Sequence, residues 1–341
     1  MVPGSAHRRG LSTISVTGAA LDAFERYLRD VVDGAEHREP LRSQLRHHFG
    51  LGVSDGARTG KRLRPRLVLA AARSFGGDDA AALPACAAVE LLHNYSLIHD
   101  DIEDGDRLRH GRPTVWSAFG LAHGVNCGDA VGALAYKALE PLAGLLGTDI
   151  AYDMTAALVR AHITMCRGQS LDLAAEGDGP ATIETYVEMI DAKTAALFAC
   201  SARLGALCSR ASEDDAARCA DVGRHFGLCF QIRDDVAGVW GDTGHTGKEA
   251  GADLARRKKS FPVVWALEHA ASGAGAAIRA AYGVPGAVID DTTIIALRAE
   301  LAGCGAREAA ERAASEHASA ARDGAHGISG LTEFVEAWGG G

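Results

Sequence analysis

Apolar residues recur at helical spacing along nearly the whole chain, and this pattern constrains the fold more than any other feature. An apolar residue every three or four positions gives a helix one buried face. No segment alternates apolar and polar residues for long enough to predict a sheet strand. The pattern therefore predicts an all-α protein, with the strongest helical stripes at residues 21–32, 67–74, 85–97, 155–166, 186–208, 219–239 and 294–301.

The sequence gives no sign of a division into several domains. Its 341 residues contain no internal repeat and no low-complexity linker. We interpret residues 17–338 as a single large all-α domain and expect residues 1–16 to be mobile. Pro65, Pro84 and Pro262 each precede an apolar run. Because proline suits the first turn of a helix, we expect helices to begin at these three prolines.

Charge, hydropathy and cysteine spacing exclude several classes of protein. The 35 Lys and Arg residues against 44 Asp and Glu give a net charge of −9, and with no basic tail this argues against a nucleic-acid partner. No stretch reaches the roughly 18 uncharged apolar residues that a transmembrane helix needs. No long apolar run follows Arg8 and Arg9, so we expect no secretory signal. The eight cysteines form no Cys-x-x-Cys pair, which indicates buried thiols and a reducing, cytoplasmic location.

The strongest chemical signal is an acidic cluster that directly follows an apolar run, in the segment HNYSLIHDDIED at residues 93–104. Asp100 and Asp104 are four residues apart and share one helix face, where like charges repel. His93 lies two turns earlier close to the same line, and Asp101 adds a further carboxylate. A solvated helix end would explain an isolated motif of this kind about as well. The alternative is a magnesium site, because Mg²⁺ takes few carboxylates and shares its other positions with phosphate oxygens and water.

A second acidic pair follows another apolar run about 130 residues later. Asp234 and Asp235 form the pair, and Gln231 lies one turn earlier on their face. Gly238 stands where a second Asp-Asp-x-x-Asp motif would have its last carboxylate, and Asp242 returns to the line of Gln231 if the helix continues past that glycine. Two acidic pairs on separate helices predict carboxylates that face each other across a cavity.

Basic residues accompany both acidic clusters. Lys61 and Arg64 stand at the entry of a helix, where phosphate binding is favourable. Arg109 follows the first cluster, and Lys248 and Lys258 follow the second. The basic run at 256–259 alone is typical of a solvated surface. The repeated order of acids and then bases, however, favours a diphosphate that metal ions bridge and cations hold.

Taken in order, these motifs resemble the trans-isoprenyl diphosphate synthase family, also called polyprenyl synthetases, from about residue 60 to residue 262. The similar segments are GKRLRP at 60–65, LLHNYSLIHDDIED at 91–104, LRHGRPT at 108–114, GQSLD at 168–172, KT at 193–194, FQIRDD at 230–235 and KKSFP at 258–262. The resemblance implies a helical bundle of the isoprenoid synthase type with a central active-site cavity.

The resemblance also implies a role for each candidate residue. Three magnesium ions would be held by Asp100, Asp101, Asp104, Asp234, Asp235 and Asp242. The groups closest to the chemistry would be Asp100, Asp104, Lys193, Thr194, Gln231 and Asp234. An allylic diphosphate and isopentenyl diphosphate would be bound by Lys61, Arg64, His93, Arg109, His110, Lys248 and Lys258. The family further suggests a homodimer.

Two departures from the family pattern bear on metal affinity and substrate preference. His110 stands where the family has a second arginine. A histidine can donate a hydrogen bond, but unlike arginine it is not always positively charged at neutral pH. Gly238 removes one carboxylate of the second motif, so that Asp242 would have to replace it.

Residues just before the first aspartates predict the product. Tyr95 is the fifth residue before Asp100, Ser96 is the fourth, and no insertion interrupts the motif. This combination resembles synthases of C20 (geranylgeranyl) diphosphate. Two alternatives stay open: a class I terpene cyclase on the same scaffold, and a non-catalytic partner subunit of a synthase. Lys61, Arg64 and His93 argue against a cyclase, which needs no second substrate, and the intact first motif argues against a partner subunit.

Overall fold

A computed structural model describes residues 18–34, 38–51, 60–175, 181–241, 250–270, 275–283 and 289–339. The helices of this part of the chain are α1 (Gly18–Val32), α2 (Leu41–His48), α3 (Leu63–Ser74), α4 (Asp79–Glu103), α5 (Val115–Phe119), α6 (Leu121–Lys137), α7 (Leu142–Leu146), α8 (Thr148–Ala175), α9 (Ile183–Ile190), α10 (Ala196–Cys208), α11 (Glu213–Trp240), α12 (Ala252–Ala255), α13 (Phe261–His269), α14 (Ala276–Tyr282), α15 (Asp291–Gly303), α16 (Ala306–Ala325) and α17 (Ser329–Gly339). The prediction of an all-α protein is confirmed. Residues 1–16, which we expected to be mobile, lie outside the described residues, and the single domain at 17–338 stays a prediction.

One small hairpin accounts for the strands in the described ranges. Its strands, β1 (Leu108–Arg109) and β2 (Arg112–Pro113), run antiparallel and pair Leu108 with Pro113. Two-residue strands are too short to show an alternating pattern in the sequence. The hairpin follows the first acidic cluster directly.

Helix α10 lies at the centre of the bundle and packs against α3, α4, α8 and α11. Its inner positions, including Leu197, Phe198 and Leu204, are fully buried. Helix α11 also packs along α16, and α4 packs along α6. The two long helices α4 and α11 therefore flank the core, and the acidic clusters lie at their C-terminal ends.

Side-chain caps set where these long helices begin. The carboxylate of Asp78 accepts a hydrogen bond from the backbone N–H of Ala80 at the start of α4. Because this cap starts the helix early, Pro84 lies in the second turn of α4, and the expectation of a helix start at Pro84 was wrong. Proline inside a helix leaves the carbonyl four residues earlier without its usual donor. Pro65 and Pro262 do lie in the first turns of α3 and α13.

A five-residue π-helical segment (Asp191–Ala195) joins α9 to α10. Such wide turns occur mostly within α-helices and often at functional sites. Gly168 on α8 allows this segment to approach closely, since a Cβ at position 168 would lie only 2.2 Å from the backbone nitrogen of Lys193. The segment carries Lys193 and Thr194, which the sequence analysis selected as site residues.

All eight cysteines are unpaired, and six of them are buried. Burial raises the pKa of thiols such as Cys200 and Cys208 to about 12, which keeps them protonated and unreactive. Among the helices of the described ranges, none combines the length and the apolar character needed to cross a membrane.

Candidate active site

The first acidic cluster lies at the C-terminal end of α4. Asp100 is half-buried and Asp104 is exposed. Burial raises the pKa of Asp100 to about 6; Lys193 opposes this rise, and the negative charge of Asp104 adds to it. A buried carboxyl group with a raised pKa is stabilised in its charged form by a cation that approaches it.

Asp101 points to a different set of partners. Its carboxylate is buried and accepts hydrogen bonds from Arg109, with Oδ1 2.8 Å from Nε and 2.7 Å from Nη2. The backbone carbonyl of Asp101 accepts a bond of 2.8 Å from the indole N–H of Trp116. Asp101 therefore fixes the hairpin to the end of α4 and shares its charge with Arg109. Its assignment as a metal ligand stays a prediction.

The hairpin places the residue that departs from the family pattern. His110 and Gly111 form its two-residue turn, with φ values of 51° and 79°. Positive φ is tolerated by glycine and is more frequent for histidine than for most other side chains. His110 is exposed at the tip, whereas its neighbour Arg109 points back to Asp101.

Lys193 connects the first cluster to α8. Its Nζ lies 2.5 Å from Oδ2 of Asp172 and 3.9 Å from Oδ1 of Asp100. Burial alone would lower the pKa of Lys193, but Asp100 and Asp172 outweigh burial and raise it. Lys193 is therefore a firmly charged ammonium group beside Asp100. Asp172 was quoted in the GQSLD segment but was given no role by the sequence analysis.

The second acidic pair divides into a buried and an accessible carboxylate. Asp235 is fully buried and accepts hydrogen bonds from the hydroxyl of Tyr186 at 2.6 Å and from the backbone N–H of Phe261 at 2.9 Å. Gln231 donates a third bond of 3.0 Å to it. Asp235 thus connects α11 to α9 and α13. Asp234 is only half-buried, and both residues stay predicted metal ligands.

Lys258 lies beside this pair, with Nζ 3.7 Å from Oδ1 of Asp235. Burial alone would lower the pKa of Lys258, but Asp235, Asp253, Asp172 and Asp234 raise it far above its ordinary value. The positive charge of Lys258 partly opposes the rise in the pKa of Lys193, so the two ammonium groups share one electrostatic environment. The two acidic helices and these two lysines therefore converge on one region.

Thr194 on the π-helical segment and Gln231 on α11 form a hydrogen-bonded pair. The hydroxyl of Thr194 donates a 2.8 Å hydrogen bond to Oε1 of Gln231, whose Nε2 donates to Asp235. Because both ends of the amide are bonded, its orientation is set by the protein.

The space of the missing carboxylate is filled by another residue. Gly238 is buried, and a Cβ built on it would lie 1.9 Å from Oδ2 of Asp253. Asp253 is itself buried, and its negative charge helps to raise the pKa of Lys258. No role for Asp253 was expected from the sequence. Asp242 and Lys248, both predicted site residues, lie outside the described residues.

A separate group of basic side chains lies at the start of α3. The guanidinium carbon of Arg64 is 4.4 Å from the ring centroid of Phe198, and its buried Nε has no hydrogen-bond partner in the described structure. Burial lowers the pKa of Arg64 to about 10, so the side chain is still charged at neutral pH. Lys61 is exposed nearby in sequence. Burial, with the charge of Arg64, lowers the pKa of His93 well below its ordinary value. A buried guanidinium nitrogen without a hydrogen-bond partner favours an anionic ligand.

In the described ranges, no three His, Cys, Asp or Glu side chains are placed so that they alone would hold a metal ion. The carboxylates of Asp100, Asp104 and Asp234 nevertheless have the oxygen donors that Mg²⁺ prefers. Sites of this kind usually complete their coordination with phosphate oxygens and water.

The chain is similar in sequence to known proteins along most of its length. The sequence profile of the polyprenyl synthetase family matches residues 54–293. The geranylgeranyl diphosphate synthase of Mycobacterium tuberculosis (strain ATCC 25618 / H37Rv) is 40% identical over 289 residues, which are 83% of this chain and 81% of that protein. The (2E,6E)-farnesyl diphosphate synthase of Mycobacterium bovis (strain ATCC BAA-935 / AF2122/97) is 38% identical over 267 residues, 76% of this chain and 72% of that protein.

The fold is also shared with solved structures. The crystal structure of a polyprenyl synthetase from Streptomyces coelicolor A3(2) matches with a TM-score of 0.83 and 32% identity, over 93% of this chain and 98% of that one. The resemblance found in the sequence is thereby confirmed. The chain belongs to the polyprenyl synthetase family and is a trans-prenyltransferase of the isoprenyl diphosphate synthase type.

Proposed function

We propose that this enzyme condenses isopentenyl diphosphate with an allylic diphosphate and releases a linear C20 diphosphate, geranylgeranyl diphosphate. The observation that carries the proposal is the presence of two separate cationic groups. Lys193 and Lys258 lie beside the acidic ends of α4 and α11, whereas Arg64, whose buried Nε has no hydrogen-bond partner in the described structure, lies at the start of α3 with Lys61. A condensing enzyme binds two diphosphates, and a cyclase binds only one.

Magnesium would be held by Asp100 and Asp104 at the C-terminal end of α4 and by Asp234 on α11. The raised pKa of Asp100 supports this assignment, because a nearby cation would relieve the cost of its burial. When bound, Mg²⁺ supplies Lewis acidity that stabilises the departing diphosphate. The number of three ions rests on the family resemblance, and Asp101, Asp235 and Asp242 are the remaining proposed ligands.

The allylic diphosphate would be oriented by the lysines between the two acidic helices. Lys193 and Lys258 are fixed by Asp172 and Asp235, and their raised pKa values keep them charged at neutral pH. They therefore neutralise negative charge that develops on the leaving group. Arg109 completes this group from the hairpin.

The positive charge left on the hydrocarbon would be stabilised by oxygen dipoles. Thr194 and Gln231 are fixed by their mutual hydrogen bond and by Asp235. Preorganised dipoles need no reorientation as charge develops. Isopentenyl diphosphate would bind at Lys61, Arg64 and His93, with His110 on the hairpin side, and present its double bond to the cation.

An aromatic cluster below the aspartates supports a C20 product. Tyr95 lies five residues before Asp100, about 7.5 Å further down the axis of α4 at 1.5 Å per residue. The ring of Tyr95 contacts the rings of His99 and His162, with centroids 4.7 and 4.5 Å apart. The hydroxyl of Tyr136 on α6 lies 2.6 Å from Nδ1 of His162 and holds that ring in place. The cluster gives a growing chain a floor between α4, α6 and α8.

A homodimer is supported by apolar side chains that remain exposed on two helices. Tyr152 and Ile163 on α8 are 73% and 66% exposed, and Val159 lies on the same face. Leu121 and Val125 are exposed on α6. An apolar surface of this kind is typical of an interface between subunits. Light scattering should give twice the monomer mass, and Ile163→Lys should reduce it.

Product analysis tests the proposed reaction. The protein is incubated with magnesium, isopentenyl diphosphate and each of dimethylallyl, geranyl and farnesyl diphosphate, and the products are identified by mass. We expect linear diphosphates that accumulate at C20. Asp100→Ala should abolish turnover, and Lys61→Ala should chiefly raise the KM for isopentenyl diphosphate. A hydrocarbon formed without isopentenyl diphosphate would indicate a cyclase, and no turnover with any pair would indicate a partner subunit.

A further inference from the structure

Arg62 lies between the two basic residues assigned to isopentenyl diphosphate, but its charge is already matched inside the protein. Its Nε donates a 2.8 Å hydrogen bond to Oε1 of Glu25, and its Nη2 lies 3.3 Å from Oε2 of the same carboxylate. Its Nη1 forms a second ion pair with Glu90, which is 4% exposed. By contrast, the buried Nε of Arg64 has no partner in the described structure.

The backbone of Arg62 adopts an uncommon conformation. With φ of 51° and ψ of 40°, it is left-handed, and it immediately precedes the first residue of α3. For a residue with a Cβ this conformation is strained, so surrounding contacts must hold it. The turn sets the direction from Lys61, before it, to Arg64, in the first turn of α3. The two carboxylates that bond to Arg62 hold this turn in place. They therefore act on the relative placement of the two cations that the turn joins.

The contacts of Glu90 extend from Arg62 toward the hairpin, on the other side of the proposed isopentenyl diphosphate site. Oε1 of Glu90 lies 3.3 Å from Nδ2 of Asn94, whose Oδ1 is 2.9 Å from Nε2 of His48 on α2. The neighbouring His47 bonds to the hairpin, with its Nε2 2.8 Å from the carbonyl of Pro113. Ion pairs and hydrogen bonds thus run from Glu25 on α1 through Arg62 to His48, and the adjacent residue in sequence, His47, bonds to the hairpin that carries Arg109 and His110.

We propose that Arg62 is a positioning residue for isopentenyl diphosphate: it does not contact the diphosphate but fixes Lys61 and Arg64 through Glu25 and Glu90. The inference rests on the proposed function and goes beyond it, since it assigns a role to α1, which carries none of the family motifs. Preorganised cations bind an anion without the cost of ordering them at the moment of binding.

Exchange of Glu25 separates positioning from direct contact. If Arg62 bound the diphosphate itself, Glu25→Gln would remove a competing negative charge and lower the KM for isopentenyl diphosphate. Positioning predicts the opposite: Glu25→Gln and Arg62→Gln should each raise that KM about tenfold, with kcat and the KM for farnesyl diphosphate within about twofold. Arg62→Lys should give an intermediate value, because it keeps the charge and loses the fork of donors.

Arg42→Gln is the matched control, because it removes an ion pair of 3.1 Å with Asp33 on the protein surface. It should leave the KM for isopentenyl diphosphate unchanged. Circular dichroism establishes that each variant is folded, and Glu25→Gln carries the test if Arg62→Gln does not fold. A lowered or unchanged KM in Glu25→Gln, with an active wild-type enzyme, overturns the inference alone. A wild-type protein that does not turn over isopentenyl diphosphate overturns the proposed function as well.

Discussion

The carboxylate of Asp253 occupies the space that a side chain at Gly238 would need, since a Cβ at position 238 would lie 1.9 Å from its Oδ2. Gly238 is the position at which the second acidic motif departs from the family pattern. The packing of α11 against α12 therefore requires a residue without a side chain at position 238. An aspartate there, as in the family pattern, would not fit.

Restoring the family residue should accordingly damage the enzyme. We expect Gly238→Asp to lower kcat and to reduce the free energy of unfolding by about 1–3 kcal/mol, as overpacking of a filled site usually does. Gly238→Ala should show a smaller loss in the same direction. Gly144→Ala on α7 is the control, because a Cβ there meets nothing within 4 Å. Urea unfolding and steady-state kinetics measure both effects, and a more active Gly238→Asp enzyme would contradict the packing argument.

The hydroxyl of Tyr186 provides a second test, because it donates a buried 2.6 Å hydrogen bond to Asp235. Tyr186→Phe keeps the ring contact with Phe261, whose centroid is 5.5 Å away, and removes only the bond. Because Asp235 keeps its bonds from the N–H of Phe261 and from Gln231, we expect only the loss of one hydrogen bond to a carboxylate, about 1.5–3 kcal/mol of stability. Because Asp235 also fixes Gln231, kcat should fall as well.

Ser201→Ala is the control for Tyr186→Phe, since it removes a buried hydrogen bond of 2.6 Å to the carbonyl of Leu197 within α10 and no bond to a site residue. It should reduce the melting temperature without a change in kcat. Equal effects of the two variants on kcat would show that Asp235 has only a structural role.

Acid should destabilise the protein through His48. Burial lowers the pKa of His48 to about 4 from its ordinary value of 6.5, although its hydrogen bond with Asn94 opposes the shift. The unfolded chain binds a proton below pH 6.5 and the folded protein does not, so stability present above that pH is lost as the pH falls toward 4. At pH 5 the loss is on the order of 2 kcal/mol.

His48→Gln removes this titration and keeps a group that can bond to Asn94. Urea unfolding at pH 7 and pH 5 should show a smaller difference in the free energy of unfolding for the variant than for the wild-type protein. His93, whose pKa is also lowered by burial and by Arg64, contributes in the same direction and remains in the variant. An unchanged difference would show that His48 is accessible to protons in the folded state.

The sequence could predict what depends on spacing along one helix, and little of what depends on packing between helices. Asp100 and Asp104 are four residues apart, so their shared face followed from helical geometry alone. The partners of Asp101 and Asp235 did not follow, because Arg109 and Tyr186 reach them only through the hairpin and the packing of α9. Asp78 is a suitable capping residue six positions before Pro84, but the proline is the stronger local signal and predicts the start of α4 too late.

Residues missed by the sequence analysis share one property: each acts through a contact that is distant in sequence. Asp172 bonds to Lys193, and Glu25 bonds to Arg62, across 21 and 37 positions. A charged residue of this kind gives no local pattern until the helices that carry it are packed. The signal for Asp172 was its place at the end of the GQSLD segment, whereas nothing in the sequence singled out Glu25.

Product length gives the last prediction. Tyr95→Ala and His162→Ala should each remove part of the aromatic floor and shift the products beyond C20, and the double variant should shift them further. Tyr136→Phe should broaden the product range less, because it only frees the ring of His162. His269→Ala, an exposed histidine on α13, should leave the products unchanged. Mass analysis of the products at equal conversion measures the shift, and an unaltered C20 product from an active double variant would show that the floor lies elsewhere.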